Sequence, residues 1–549
     1  MVANIDDTTE TGMKYLKPLT SITLPTDAKD LCPVTAVEFS QMFESGTVTL
    51  DGVVKPANSV TFPNVPNCSF YKWTEQMFLW ATSKSPARYG GGFRVFDSPK
   101  FFEVSPPEAD GSRTFIKHNP GQLIDFHVRT AQRGPNKLPV VFEKRTGRLF
   151  EIAPAKISPN NMLQLKTIRD GDILELNNAR VLTVESSKLV LRNTITNNKT
   201  LVKPVPVQLD LKINSAILNK FIINDRVKFF DVSGKEIVVE TGQAGGGEAL
   251  IAQNGSLIYY ITLVNEVFAY QRTMLGAVVP PTTSFPTTQA ELDAILAFAI
   301  TKGVTITDPE ALAIELKSSW IEASGLPNLG DYITMDAVVP KYDKTDPANW
   351  VITGKQTIKL AMVGMHVVGS TKGHPEMIWG TFEHITNTPN SAYSYTNTAN
   401  TTVNVPQSTA GSWLFCANNS AGPFNEAHIR NVSNNIQAIP PFSVSSSNTL
   451  RVMPWGKDGS VASSNTQVIA MNNNTRGRLL DGDVRKNYVQ TGSTWTIGGA
   501  APNGSNQVGT NKLSSTTMET YQQGSNCFSC HGTNKVTVSH VFTDLKPLQ

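Results

Sequence analysis

Apolar positions along this chain recur mostly at short, even spacing, a pattern that predicts strands more often than helices. The segments Asp172-Ile-Leu-Glu-Leu, Arg180-Val-Leu-Thr-Val, Lys188-Leu-Val-Leu and Arg226-Val-Lys-Phe-Phe are of this kind, with turn-formers such as Asn177-Asn178 and Ser233-Gly234 between them. They predict a small antiparallel β unit over residues 156–240. A longer apolar run, Thr357-Ile-Lys-Leu-Ala-Met-Val-Gly-Met-His-Val-Val, is followed by Met377-Ile-Trp-Gly-Thr-Phe-Glu-His. The intervening Lys372-Gly-His-Pro turn makes the two a predicted hairpin, with His374 in the turn and exposed to solvent.

Helical spacing is confined to fewer places. Tyr71–Lys84 reads as a buried or amphipathic helix carrying Trp73, Phe78 and Trp80. The glycine run Gly90–Gly92 then reads as a tight turn leading into a strand. Thr288-Gln-Ala-Glu291 is a capping box, and Gly303 stops the helix it starts. Thr307-Asp-Pro-Glu310 repeats the device and predicts a second helix, through Trp320 to Gly325. Gln243-Ala-Gly-Gly-Gly lacks the strand–helix context of a phosphate-binding loop.

These elements predict an α+β, β-rich protein of several parts, with sandwich-like antiparallel sheets and a few short helices. The expected divisions are an α+β region at 1–155, the β unit at 156–240, a helical region at 241–325, a β-rich region at 326–510, and a separate C-terminal segment at 511–549. A chain of 549 residues allows three or four domains. Its 48 basic and 45 acidic residues leave a net charge of +3, which gives no signal for nucleic acid. No run approaches the roughly 18 apolar residues of a membrane span. Ile385 to Asn425 contains no Asp, Glu, Lys or Arg and is rich in Ser, Thr and Asn, as suits a secreted β-rich surface. The first ten residues show neither a basic n-region nor an apolar h-region, so no Sec-type signal peptide is visible.

Chemistry concentrates at Asn526-Cys527-Phe528-Ser529-Cys530-His531, which contains C-x-x-C-H. In c-type haem attachment the two thiols add to the haem vinyl groups and the adjacent imidazole becomes the proximal iron ligand. Cys527 and Cys530 are therefore candidate attachment residues, and His531 the candidate ligand. Three residues are distal candidates: His540 from the tail, Met518 on a short helix ahead of the motif, and His366 from the hairpin. Other readings of the pair are a disulfide, a thioredoxin-like redox pair, or zinc held by Cys527, Cys530, His531 and His540. Five cysteines are too few for a disulfide scaffold, and Cys32, Cys68 and Cys416 are scattered.

His366, His374, Glu376, Glu383 and His384 form a second group, of donor types suited to Zn, Cu or Fe in a metal-dependent oxidase. Hairpin geometry argues against one site. With 366 paired near 380, His384 lies about four residues further along, roughly 13 Å at strand rise. A haem docked on this hairpin would find Trp379 and Phe382 as aromatic neighbours. His118, His127 and His428 have no partner at recognisable spacing, and hydrolase motifs are missing from the sequence.

Tyr71-Lys-Trp-Thr-Glu-Gln-Met-Phe-Leu-Trp, Gly90-Gly-Gly-Phe-Arg-Val-Phe-Asp-Ser-Pro, Lys317-Ser-Ser-Trp-Ile-Glu-Ala, Gly364-Met-His with Trp379-Gly-Thr-Phe-Glu-His, and Thr516-Thr-Met-Glu-Thr-Tyr with Cys527-Phe-Ser-Cys-His resemble a group of large bacterial proteins labelled as cytochrome c family. The resemblance spans most of the chain. It implies a C-terminal haem-attachment segment on a large β-rich body, in an exported protein. Cys527, Cys530 and His531 are the residues it carries over. The expectation is then a periplasmic or extracellular redox protein with one covalent haem c, exchanging electrons with a partner protein or a small molecule. The alternative is a secreted, non-catalytic β-rich binding or structural protein whose CxxC forms a disulfide.

Overall fold

Residues 357–368 carry small or apolar side chains at every second position and more, so both faces of the strand they form must be covered. In the computed structural model this strand is Asn349–Thr371, and it pairs with His374–His384 as a hairpin in which His366 faces Thr381. The structure describes the chain except residues 1–4, 9–13, 64–67, 109–111, 129–139, 144–148, 154, 158–166, 169–171, 174–179, 194, 207–216, 224–225, 238, 241–247, 433, 440, 457–460, 503–504, 514 and 524–526. The Gln243–Gly247 loop and the Asn177-Asn178 turn lie outside the described residues.

The chain divides into two compact units. One is Met1–Arg129 with Ala249–Gln549, and the other is Thr130–Glu248. In the first, an antiparallel run passes in order through Phe115–Lys117, Phe101–Val104, Tyr259–Asn265, Ile314–Glu322, Asn349–Thr371, His374–His384, Tyr488–Thr496 and Gln507–Gly509. The protein is thus β-rich, with large antiparallel sheets and few short helices. The second unit contains a sheet in which Ile217–Ile223 pairs antiparallel with Arg226–Phe230 and parallel with Leu149–Ala153, around Phe150, Leu218, Phe229 and Ile237. It also holds a meander of Arg180–Glu185, Lys188–Asn193 and Lys199–Leu201.

The helix Cys68–Ala81 covers one face of the main sheet. Phe78 stacks on Phe382 at 4.0 Å, and Trp73, Met77 and Phe78 share a core with Ile378, Met365 and Tyr488. The close approach explains Gly380, where a methyl group would overlap Thr74 Cγ2. The opposite face carries Val264, Val368 and Met377, packed against the helices Glu266–Met274 and Gln289–Thr301 and against Phe528, Val536, Val538 and Phe542 of the C-terminal segment. Thr288 and Glu291 form the expected capping box, and Gly303 follows the helix at φ +72°.

Three local expectations are overturned. Residues Ile314–Glu322 are a strand, not a helix, because they alternate with period two and fill the gap between Tyr259–Asn265 and Asn349–Thr371. The Thr307–Glu310 signal opens only a 3₁₀ turn, Pro309–Ala311, after which Leu312 turns the chain at φ +60°. Gly90–Gly92 leads not into a strand but into a 3₁₀ turn, Val95–Asp97, curled by the Asp97 carboxylate accepting from the amides of Phe93 and Arg94. His374 is only 1% exposed, because the helix Cys68–Ala81 brings Phe70 edge-on to its ring.

Candidate haem-attachment site

Cys527–Cys530 form one helical turn, which carries residues three apart on one side. The His531 amide extends this turn by donating to the Cys527 carbonyl at 3.0 Å. Cys527 is partly buried, while the side chain of Cys530 lies outside the described residues, and with it both the expected haem attachment and the alternative CxxC disulfide. After a 3₁₀ turn at Val536–Val538 the chain folds back onto the motif. His531 Nδ1 lies 2.6 Å from the Val538 carbonyl oxygen. A carbonyl only accepts, so Nδ1 carries the proton, and the neutral ring keeps its lone pair on Nε2. Burial, reinforced by neighbouring His540, holds the His531 pKa well below the ordinary imidazole value, so the ring is neutral at physiological pH.

Two rings fix the orientation of His531. His540 stacks on it at 3.9 Å and 16°, and Trp379 lies 4.3 Å away at 44°. Trp379 is itself held by its indole N–H, which donates to the Glu376 carbonyl at 3.0 Å, and by an edge contact with Phe528. A proton-bearing Nδ1 tied to a backbone carbonyl is how metal-binding histidines are commonly oriented and made more basic. On this observation the residues fit a haem ligated through His531 Nε2.

The other candidates are placed as follows. His540 lies over the ring face of His531, not at its Nε2 pole. Met518 sits in a turn and is fully buried with Leu250, Ile258 and Val363. His366 engages both ring nitrogens: Nδ1 with Thr381 Oγ1 at 2.8 Å, and Nε2 with Glu519 Oε2 at 2.9 Å. Trp379 contacts Phe528 and His531 of the motif, whereas Phe382, the other aromatic expected beside a docked haem, points to the opposite face and packs on Phe78. His384 is on that opposite face too. It stacks on Tyr332 at 3.9 Å, and its nitrogens pair with Thr386 Oγ1 and the Asp331 carbonyl. His374 Nδ1 pairs with Glu376 Oε1 at 2.8 Å. The hairpin therefore separates these residues rather than gathering them. Among the described residues no three His, Cys, Asp or Glu side chains form a metal-holding group.

Sequence reasoning missed what anchors the segment. Glu383, fully buried, takes the Arg451 guanidinium on Oε2, with Nε at 2.7 Å. Its Oε1 accepts from Ser515 Oγ at 2.8 Å, Thr516 Oγ1 at 2.7 Å and the Thr516 amide. Ser319 Oγ meets Thr517 Oγ1 at 2.8 Å, and Tyr260 donates to the Thr517 carbonyl. Ser, Thr and Glu at 515–519 are thus a polar seam that fixes the segment on the sheet. The pairing of Cys32 with Cys68 in a disulfide was also missed, since a separation of 36 residues offers no local signal. Cys416 is buried, and its thiol pKa is pushed up to about 12 by burial.

No helix among the described residues is long and apolar enough to cross a membrane. Compared with known proteins, the chain matches no family model, no curated protein and no solved structure.

Proposed function

We propose that this is an exported, c-type cytochrome-like redox protein carrying one covalent haem on its C-terminal segment. Cys527 and Cys530 would form the thioethers and His531 would be the proximal ligand. The observation that carries this reading is the His531 ring: neutral, its Nδ1–H committed to Val538 so that the lone pair falls on Nε2, one residue beyond a Cys-x-x-Cys turn. When bound, the haem supplies one-electron exchange. The chain's own part is to hold the imidazole between Trp379 and His540 and to keep it basic through the Val538 carbonyl.

Export is supported by the Cys32–Cys68 disulfide, since disulfides persist in oxidising compartments. The lack of Asp, Glu, Lys and Arg over residues 385–425 agrees with it. The electron partner is a redox protein or a small donor or acceptor, and a substrate reaction is not part of the proposal.

The test is a haem stain after denaturing electrophoresis, together with a reduced-minus-oxidised spectrum of protein from its native host. Colour that survives denaturation, and is lost in Cys527→Ser with Cys530→Ser, is the expected result. A colourless native chain whose mass shows an intact, haem-free Cys527–Cys530 disulfide would replace this reading with a secreted β-rich binding or structural protein.

A further inference from the structure

Met377 is fully buried in the strand His374–His384 and has φ +65°, in the left-handed region. Among the described residues other than glycine at positive φ, all but Leu312 and Met377 are Asp, Asn or Ser. Those short polar side chains tolerate the left-handed region, whereas a methionine stays there only when its surroundings hold it. Met377 lies in a bulge. Thr371 pairs with His374 but Gly369 pairs with Ile378, so the second strand takes up two extra residues between these pairs. In a regular ladder Trp379 would stand opposite His366. The bulge sets it opposite Val368 instead, roughly 7 Å along the strand.

Both sides of the bulge are tied down. Glu376 Oε1 accepts from the Thr496 amide at 3.1 Å and from Thr496 Oγ1 at 2.9 Å, and it pairs with His374 Nδ1 at 2.8 Å. The Glu376 carbonyl accepts the Trp379 indole N–H at 3.0 Å, a bond that spans Met377. The Met377 side chain shares a core with Val368 and Phe528. In a regular ladder Met377 itself would stand opposite Val368, so burial of its side chain does not require the bulge. The place of Trp379 does. Bulges re-aim side chains beside functional sites, and the side chain re-aimed here is the ring that lies 4.3 Å from that of His531.

We propose that Met377 and Glu376 are positioning residues for His531 that act through Trp379: the strained bulge carries the indole to the place where it fixes the imidazole plane. The purpose of this device rests on the haem reading above, since surroundings that orient a ligating histidine tune the metal it holds.

The test is NMR of the histidine rings in the full chain, haem-free and with its C-terminal thiols reduced, with the His531 signal identified by its loss in His531→Gln. Trp379→Leu should move that signal. Met377→Ile, whose branched Cβ is excluded from the left-handed region, should move it in the same direction. Met377→Gly adopts that region freely and should leave the signal in place, although the chain is less stable. In haem-loaded protein the midpoint potential should shift in Met377→Ile and not in Met377→Gly. Circular dichroism verifies folding. An unmoved His531 signal or an unmoved potential in folded Met377→Ile would overturn the proposal. If that variant does not fold, a displaced His531 signal in Met377→Gly overturns it. The expected signals in a chain that carries no haem in its native host would sink the haem reading and keep the positioning of the ring.

Discussion

His384 is sealed between two tyrosine rings, where a charge is costly. Burial is the main cause that lowers its pKa from 6.5 to about 3. The unfolded chain takes up a proton at this residue below pH 6.5, whereas the folded chain does so only near pH 3. Stability contributed by the neutral ring is therefore present above pH 6.5 and lost as pH falls toward 3, on the order of 5 kcal/mol in total. Glu75 acts the other way: burial lifts its pKa to about 7, so folding favours its protonated form and stability falls between pH 4.5 and 7. His384→Gln keeps a donor for the Asp331 carbonyl and an acceptor for Thr386 but cannot titrate. Its urea midpoint should fall less steeply than that of wild type between pH 6.5 and 4. Parallel profiles would show that another group controls acid stability.

At the scale of elements, the contact of the helix Cys68–Ala81 with the central hairpin rests on the missing side chain at Gly380. Gly380→Ala would press a methyl group into Thr74 Cγ2 and should cost about 1–3 kcal/mol through overpacking. Thr74→Ser removes that methyl and retains the hydroxyl that accepts from Ser493 at 2.7 Å. Thermal unfolding should show Gly380→Ala partly rescued by Thr74→Ser. Strictly additive effects would mean the helix shifts rather than clashes. The hairpin was legible in sequence because one turn and two runs of apolar residues are local. The strand Ile314–Glu322 was misread because its capping-type start and its glycine end resemble helix boundaries. Its neighbours on both sides decided its state.

At the scale of the whole molecule, the Cys32–Cys68 disulfide closes a loop across 36 residues and ties the N-terminal region to the start of the covering helix. In the loop-entropy account this contributes about 3–4 kcal/mol. Because the chain holds two compact units, the midpoint of the first unit's transition is the readout rather than one global free energy. Reduction, or Cys32→Ala with Cys68→Ala, should lower that midpoint in urea. An unchanged midpoint in the oxidised and reduced states would show that the loop is already ordered without the bond.

The sequence alone determined what depends on near neighbours. Alternation set the β-rich class, Thr288 with Glu291 set a helix start, and two thiols and an imidazole in five residues set the candidate chemistry. Only the tertiary structure decided what depends on contacts between distant residues. It buried His374, separated His366 from His384 across a sheet, and joined Glu383 to Arg451. It also placed Trp379, Val538 and His540 around His531. Spacing along a chain encodes the period of an element and the reach of a motif. It does not encode which face of that element meets which partner once the backbone has closed on itself.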